Sequence, residues 1–353
     1  MRIRKYLTPH AAAASILVML FNQPLAAQQP DKPPAPPINP AQARLGQTIE
    51  GLGGAGQAVV YNEEAGILAA GCLQSVIPYW DKGVVMGVRV GDGTPNVLKG
   101  HQGTITALAW NGGPVLVSAG ADRKVIFWEM PEGKPVATVT TPGIIRALAM
   151  SPDHQTVAGG GDESLIYLWD VATGKEKAKL SGQTDWALAL AFSPDGQTLA
   201  SGGYDGLVRL WNVSGGQPRE FPSQPPPAAN QPAPPPNPVW ALAFSPDGKT
   251  LALGGSNAVI YLVNPADGKI IRPIPGHTGT ITSLVFHPGG AVLVSGSKDR
   301  TVRLWNPANG QALKTLEGHQ SWVQDVVFLV QGTRLASVSA DQTVKLWDLT
   351  NPM

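Results

Sequence analysis

A motif that recurs about every forty-two residues limits the possible folds of this chain more than any other feature. Each copy contains two short runs of β-branched and apolar residues, joined by a turn that usually carries an aspartate. This pattern predicts a hairpin of two β-strands. The second runs end at Trp80, Trp128, Trp169, Trp211, Val263, Trp305 and Trp347, with successive spacings of 48, 41, 42, 52, 42 and 42 residues. A period near forty-two is typical of four-stranded propeller blades.

Short motifs accompany this period. A glycine–histidine pair, the stretch AFSPDG, the stretch LASG, a turn aspartate and a terminal W-D occur in order within the copies. In these motifs the chain resembles the WD-repeat β-propeller family, and the resemblance covers nearly all of residues 44–353. It implies an all-β fold, a seven-bladed β-propeller of four-stranded antiparallel blades around a central channel.

The two ends of the repeat region suggest how the ring closes. The last copy stops at Met353 without an outermost strand, whereas RLGQTIEGL at residues 44–52 resembles ALKTLEGHQ at residues 312–320. An unpaired sheet edge promotes aggregation. We therefore expect residues 44–51 to supply the outer strand of the last blade.

The segment before the repeats has the features of an export signal. Positive residues at Arg2, Arg4 and Lys5 precede an apolar run at residues 11–21 and small residues near Ala27. We interpret residues 1–27 as a Sec-type secretory signal peptide, which places the protein in the periplasm or outside the cell. An uncleaved anchor is the alternative, although the run is shorter than the roughly twenty residues of a membrane-spanning helix. Residues 28–43 are predicted to form a proline-rich linker.

Composition narrows the range of partners and cofactors. Cys72 is the only cysteine, and it lies in an apolar stretch where a buried, inert thiol is expected. The chain has 26 basic and 25 acidic residues, so nothing points to nucleic acid as a partner. We find no calcium loop and no nucleotide-binding glycine loop. We therefore expect no cofactor, no metal, no membrane span in the mature chain, and a monomer.

Three copies contain histidine, serine, aspartate and tryptophan in the same register. These are His101, Ser118, Asp122 and Trp128 in the second copy, His277, Ser295, Asp299 and Trp305 in the sixth, and His319, Ser337, Asp341 and Trp347 in the last. A catalytic triad uses the first three residue types, but a catalytic site normally occurs once in a chain. The resemblance implies instead a structural hydrogen-bond chain that ties the strands of each blade together.

Partner binding is then expected on the surface. The resemblance implies that the loops entering the innermost strands share one face with the turn-aspartate loops. Bulky aromatic and cationic residues dominate binding hot spots. On this face the partner-binding candidates are Arg146, Trp186, Tyr204, Trp240, Lys298 and Trp322. Each tryptophan could instead pack between blades.

A second proline-rich stretch, residues 221–239, interrupts the repeat period between the fourth and fifth copies. It is either an inert insertion or a recognition arm, since polyproline segments lose little entropy on docking. The leading hypothesis for the whole chain is a non-enzymatic scaffold that binds a protein or peptide. The alternative is an exported propeller enzyme, a hydrolase or cofactor-dependent oxidoreductase, with its site in the central channel.

Overall fold

Seven four-stranded antiparallel sheets make up a computed structural model of the protein, which describes residues 38–50, 52–80, 95–227, 230–232 and 234–350. In chain order the strands are β1 (Arg44–Ile49), β2 (Gly56–Asn62), β3 (Ile67–Cys72), β4 (Val76–Trp80), β5 (Asn96–Lys99), β6 (Ile105–Ala109), β7 (Val115–Gly120), β8 (Lys124–Glu129), β9 (Lys134–Thr140), β10 (Ile145–Met150), β11 (Thr156–Gly161), β12 (Leu165–Asp170), β13 (Glu176–Ser181), β14 (Ala187–Phe192), β15 (Thr198–Gly203), β16 (Leu207–Asn212), β17 (Arg219–Pro222), β18 (Val239–Phe244), β19 (Leu251–Gly255), β20 (Ile260–Val263), β21 (Ile270–Ile274), β22 (Ile281–Phe286), β23 (Leu293–Ser297), β24 (Val302–Trp305), β25 (Ala312–Leu316), β26 (Val323–Leu329), β27 (Arg334–Ser339) and β28 (Val344–Asp348). Short 3₁₀ helices cover Pro40–Gln42 and Val330–Gly332.

Each sheet forms one blade of a ring. Blades 1 to 6 are built from consecutive groups of four strands, from β2–β5 to β22–β25. The innermost strand of every blade packs against the innermost strands of both neighbouring blades, and β2 of blade 1 packs against β26 of blade 7. The ring is therefore closed, and the predicted seven-bladed propeller is confirmed.

Small side chains allow the seven innermost strands to approach one another. One equivalent position in these strands is occupied by Ala58, Ala107, Ala147, Ala189, Ala241, Ser283 and Asp325. All seven side chains are buried. A larger apolar side chain here would overpack the narrow centre of the ring. The repeated pattern of alternating alanine and larger apolar residues thus fits the innermost position in a blade.

Blade 7 combines the two ends of the repeat region. It has the strand order β1-β28-β27-β26, so the N-terminal strand lies outermost. Leu45 pairs with Trp347, and Ile49 pairs with Val344. The predicted closure by an N-terminal strand is confirmed.

The segment just before β1 also belongs to the folded body, although it was expected in the linker. Ile38 packs against the core of blade 7, and the Asn39 amide donates to the Leu349 carbonyl at 2.8 Å. Ala43 is buried in the same core. The signal region and the rest of the predicted linker, residues 1–37, lie outside the described residues.

The proline-rich insert is slightly shorter than its predicted range of 221–239. Phe221 and Pro222 belong to the outer strand β17, and Val239 begins β18. Phe221 is half-buried and packs against the core of blades 4 and 5. The connecting loop therefore covers residues 223–238.

Two sets of loops define the two faces of the ring. One face carries the loops that lead into the innermost strands and the turn-aspartate loops. We call it the upper face. The opposite, lower face carries turns such as Ser193–Gly196. There the Ser193 hydroxyl donates to Asp195 at 2.5 Å and accepts from the Thr198 amide at 2.9 Å, which satisfies polar groups within the turn.

Candidate functional site

The repeated histidine groups form continuous hydrogen-bond chains inside their blades. In blade 7, Trp347 Nε1 donates to Ser337 Oγ at 2.8 Å, and Ser337 Oγ lies 2.7 Å from His319 Nε2. His319 Nδ1 lies 2.8 Å from an Asp341 oxygen. Indole can only donate and a carboxylate can only accept. A neutral imidazole that accepts at Nε2 and donates from Nδ1 satisfies every group in the chain.

The same chain is present in blades 2 and 6. Its members are His101, Ser118, Asp122 and Trp128 in blade 2, and His277, Ser295, Asp299 and Trp305 in blade 6. Each serine hydroxyl is fully buried, and the three histidine side chains are at most 1% exposed. A substrate could not reach these hydroxyls, so their geometry suits a tie between strands rather than a nucleophile.

Hydrogen bonds to the carboxylates lower their pKa values. Burial acts to raise the pKa of Asp341, but hydrogen bonds from His319, Thr343 and the Gln320 amide outweigh it, and the pKa falls far below its usual range. Burial lowers the pKa of His101, which favours the neutral imidazole.

Blade 3 lacks most of this network. Thr141 and Gly159 stand at the histidine and serine positions, and the Trp169 ring occupies the space where a side chain at residue 159 would lie. Glu163 stands at the turn-aspartate position of this blade, and no histidine is present there to bind it. Asp162, the residue before it, accepts a hydrogen bond from Arg146 Nε.

Three of the partner-binding candidates meet on the upper face at blades 3 and 4. The Arg146 guanidinium lies 4.3 Å from the centre of the Trp186 ring. The Trp186 and Tyr204 rings are 5.9 Å apart and tilted by 58°. We call Arg146, Trp186 and Tyr204 the arginine cluster. Arg146 is buried beside the exposed Trp186, so its own side chain offers little surface to a partner.

The other three candidates meet at blades 5, 6 and 7. The Lys298 ammonium lies 5.0 Å from the Trp240 ring centre and 4.8 Å from that of Trp322. Cation–π attraction operates at such distances. We call Trp240, Lys298 and Trp322 the lysine cluster. Trp240 is partly buried, and its Nε1 donates to Ser256 Oγ at 2.8 Å.

Backbone hydrogen bonds place these side chains beside one another. The Tyr204 amide donates to the Trp186 carbonyl at 2.9 Å, and the Ala340 amide donates to the Trp322 carbonyl at the same distance. Each bond joins a turn-aspartate loop to the loop that precedes an innermost strand. The side chains at these two positions therefore lie together on the upper face.

Three of the candidates are exposed aromatic residues. Trp186 is 41% exposed, Tyr204 is 48% exposed and Trp322 is 40% exposed. Large aromatic side chains at the surface are favourable anchors for a binding partner. Trp186 and Trp322 thus do not serve as interblade core residues.

The proline-rich loop lies on the same face. Ser223 Oγ donates to the Asn237 carbonyl at 2.8 Å, and Gln224 Nε2 donates to the Pro235 carbonyl at 2.8 Å. These bonds hold the two ends of the loop together. Its described prolines are mostly exposed, so the loop extends the surface beside the turn-aspartate loops of blades 4 and 5, where it bonds to Gly206 and Ser256.

One buried carboxylate was missed in the sequence. Asp325 on β26 is fully buried and accepts from the Val59 amide at 3.0 Å, from Ser283 Oγ at 2.8 Å and from the Val326 amide at 2.9 Å. It joins blades 6, 7 and 1. Burial raises the pKa of Asp325 well above its usual range. When the innermost strands are aligned, the other blades have alanine or serine at this position. The aspartate is therefore an exception that could have been identified in the sequence.

The innermost strands otherwise offer few ionisable side chains to the channel. Their charged residues are Arg146 and Asp325, and both are buried and bonded. Within the part of the chain that the structure describes, no three histidine, cysteine or acidic side chains are grouped to hold a metal ion. Across the same residues, no helix is long and apolar enough to span a membrane.

Comparison with known proteins adds a family match. The model of the WD domain, G-beta repeat, matches six segments, at residues 94–129, 133–170, 174–212, 232–264, 268–306 and 310–348. Together these segments cover more than half of the chain, and each contains the three inner strands of one of blades 2 to 7.

Individual relatives match over shorter stretches. The chain is 30% identical to the Periodic tryptophan protein 1 homolog of Drosophila melanogaster over 31% of this chain and 27% of that protein. It is 32% identical to the small ribosomal subunit protein RACK1 of Medicago sativa, over 22% of this chain and 23% of that protein. It is 31% identical to the anaphase-promoting complex subunit cdh1 of Dictyostelium discoideum, over 29% of this chain and 13% of that protein. The chain thus spans about a quarter or less of the length of these relatives.

Proposed function

The chain belongs to the WD40 repeat family, and on that premise we propose that it is a non-enzymatic scaffold that binds a protein or peptide partner on its upper face. The observation that carries this proposal is the pair of exposed tryptophans, Trp186 and Trp322, each immediately before an innermost strand. Relatives such as RACK1, named as a ribosomal subunit protein, and cdh1, named as a subunit of a complex, are parts of assemblies. Their names support a role in protein association.

The exposed surface has the chemistry of a protein-binding site. Trp186, Tyr204 and Trp322 combine a broad apolar ring with a polar group, and aromatic residues of this kind are enriched in interfaces. The adjacent cations hold the indole rings in place through cation–π contacts. A rigid aromatic platform loses little side-chain entropy when a partner docks.

The alternative, an enzyme with a site in the channel, has less support. Such a site needs ionisable groups within reach of a substrate. Asp325 is the acidic residue of the innermost strands, and both of its oxygens accept hydrogen bonds from within the ring. The histidines of the blade networks also form hydrogen bonds within their own blades.

Replacing Trp186 and Trp322 with alanine tests the proposal. We expect the double variant to lose partner capture from the exported fraction while it melts within a few degrees of the wild type, because both rings are exposed. Val136→Ala with Ile271→Ala is the matched control, since these apolar residues are equally exposed but lie on outer strands. Equal capture by the double variant and the wild type would contradict the proposal. So would loss of capture in the control.

We further propose that the protein is exported and acts as a monomer. The basic residues and apolar run of the first twenty-one positions support export. The mature chain would then present its upper face to partners in the periplasm or outside the cell.

A further inference from the structure

The two clusters on the upper face differ in the balance of their charges. In the arginine cluster, Arg146 is paired with Asp162. In the lysine cluster, Lys298 forms no ion pair with any described residue, nor does Arg300, two positions further along the same turn. The first cluster is therefore neutral and the second is cationic.

Asp299 is the carboxylate nearest in sequence to Lys298, and it is already hydrogen-bonded to other groups. Asp299 accepts hydrogen bonds from His277 at 2.7 Å, from the Thr278 amide at 3.1 Å and from Thr301 Oγ1 at 2.7 Å. These bonds belong to the network that holds blade 6 together. Asp299 therefore cannot turn toward Lys298 without breaking that network.

The Lys298 ammonium is also poorly hydrated. It lies between two indole rings, and its burial lowers its pKa. An aromatic face attracts a cation but does not replace the hydrogen bonds that water provided. The indole N–H of Trp322 makes no hydrogen bond to any described residue, unlike that of Trp240. Two donors, the ammonium of Lys298 and the indole of Trp322, are thus available within one cluster.

We propose that the lysine cluster binds a carboxylate of the partner, so that the segment recognised on the upper face is an acidic peptide. This inference rests on the proposed function and adds the chemistry of its ligand. A carboxylate accepts charge-assisted hydrogen bonds from an ammonium. A cationic side chain would instead have to displace Lys298 from between the rings and would meet the charge of Arg300. The neutral arginine cluster provides the apolar anchor through Trp186 and Tyr204.

Selection from a phage-displayed library of random dodecapeptides tests this inference. The purified wild-type protein is the bait, and peptides are kept only if the Trp186→Ala/Trp322→Ala variant does not bind them. We expect the selected peptides to be enriched in aspartate and glutamate relative to the unselected library. Synthetic versions with Glu→Gln or Asp→Asn should bind the wild type about tenfold more weakly.

Charge variants of the protein complete the test. Lys298→Gln should abolish the difference between acidic peptides and their amide versions, and Lys298→Glu should reverse it in favour of peptides with lysine. Lys249→Glu is the matched control, because Lys249 is an exposed lysine on a lower-face turn. It should leave the preference unchanged.

The possible failures are distinguishable. This inference would be overturned if the peptides that need Trp186 and Trp322 showed no acidic enrichment, or if they bound equally well as amides. The proposed function would still stand in that case. If no peptide were retained after the counter-selection with the Trp186→Ala/Trp322→Ala variant, the proposed function would fail together with the inference.

Discussion

His319 and Trp322 lie three residues apart and have opposite surroundings. Both ring nitrogens of His319 are hydrogen-bonded, and the residue is buried. Trp322 is exposed and contacts Lys298 through its ring face. A histidine with both nitrogens engaged has no atom left for a ligand or a reaction. Trp322 is therefore the better candidate for a functional residue in this stretch.

Asp325 shows how a single side chain can join several blades. Its oxygens accept hydrogen bonds from blade 1 through Val59 and from blade 6 through Ser283. We expect Asp325→Ala to lower the free energy of unfolding by about 1–3 kcal/mol, because it leaves buried donors without an acceptor. Chemical denaturation measures this change.

Asp325→Asn is the informative control for that experiment. Its amide oxygen can still accept from the Val59 amide, and it has no charge to bury. We therefore expect the asparagine variant to keep most of the stability of the wild type. An alanine variant that is as stable as the wild type would show that Asp325 does not hold the blades together.

At the level of strands and blades, the candidates in blades 3 and 5 occur where the histidine network is incomplete. Blade 3 has neither the histidine nor the serine of the network, and Asp162, one residue before the turn-aspartate position, binds Arg146. Blade 5 has Asn237 and Asn257 in place of histidine and aspartate, and the Asn257 amide donates to Asn237 Oδ1 at 3.0 Å. In both blades, other polar side chains therefore form hydrogen bonds on the upper face where the histidine network is incomplete.

The outermost strand of blade 7 provides the clearest prediction for a single strand. Deleting residues 44–51 removes every pairing between β1 and β28 and uncovers the core around Ile49 and Leu346. We expect the melting temperature to fall by roughly 10 °C or more, since several kcal/mol of burial and pairing are lost. Thermal unfolding followed by circular dichroism measures this.

Deletion of residues 28–37 serves as the control for that truncation. It shortens the chain by a similar length but leaves β1 and the docked residues 38–43 intact. Normal melting of the 44–51 deletion as a monomer would mean that closure by β1 is dispensable for the stability of the ring.

The ring as a whole determines which distant residues become neighbours. Trp240, Lys298 and Trp322 belong to three successive blades, yet Lys298 contacts both rings. Such contacts arise because the innermost strands converge on a common axis, and the small residues along them allow this convergence. The binding surface is therefore a property of the closed ring and not of any one repeat.

Export and assembly can be tested on the intact protein. If the proposed export is correct, mass spectrometry of the protein recovered from its host should find an N-terminus at Gln28, because we expect cleavage after Ala27. Sedimentation should give the mass of one chain. Recovery in the cytoplasm with residues 1–27 still attached, or a stable dimer, would contradict these proposals.

The number of blades and the closing strand could be predicted from the amino-acid sequence, and the resemblance to the WD-repeat family implied that the candidate residues share one face. The repeat period and the repeated motifs are local patterns, and each copy forms its hairpin from neighbouring residues. Trp186 and Trp322 could be selected in this way because they stand at the same position relative to Phe192 and Phe328, and Tyr204 because it precedes the turn aspartate Asp205.

Only the tertiary structure shows that Asp162 pairs with Arg146, that Lys298 lies between two tryptophans without an ion pair, and that Asp325 joins three blades. Their partners are distant in sequence or belong to other blades. The distances between them depend on how the seven sheets close into a ring. No local pattern encodes such distances, because they are set by the packing of the innermost strands against one another.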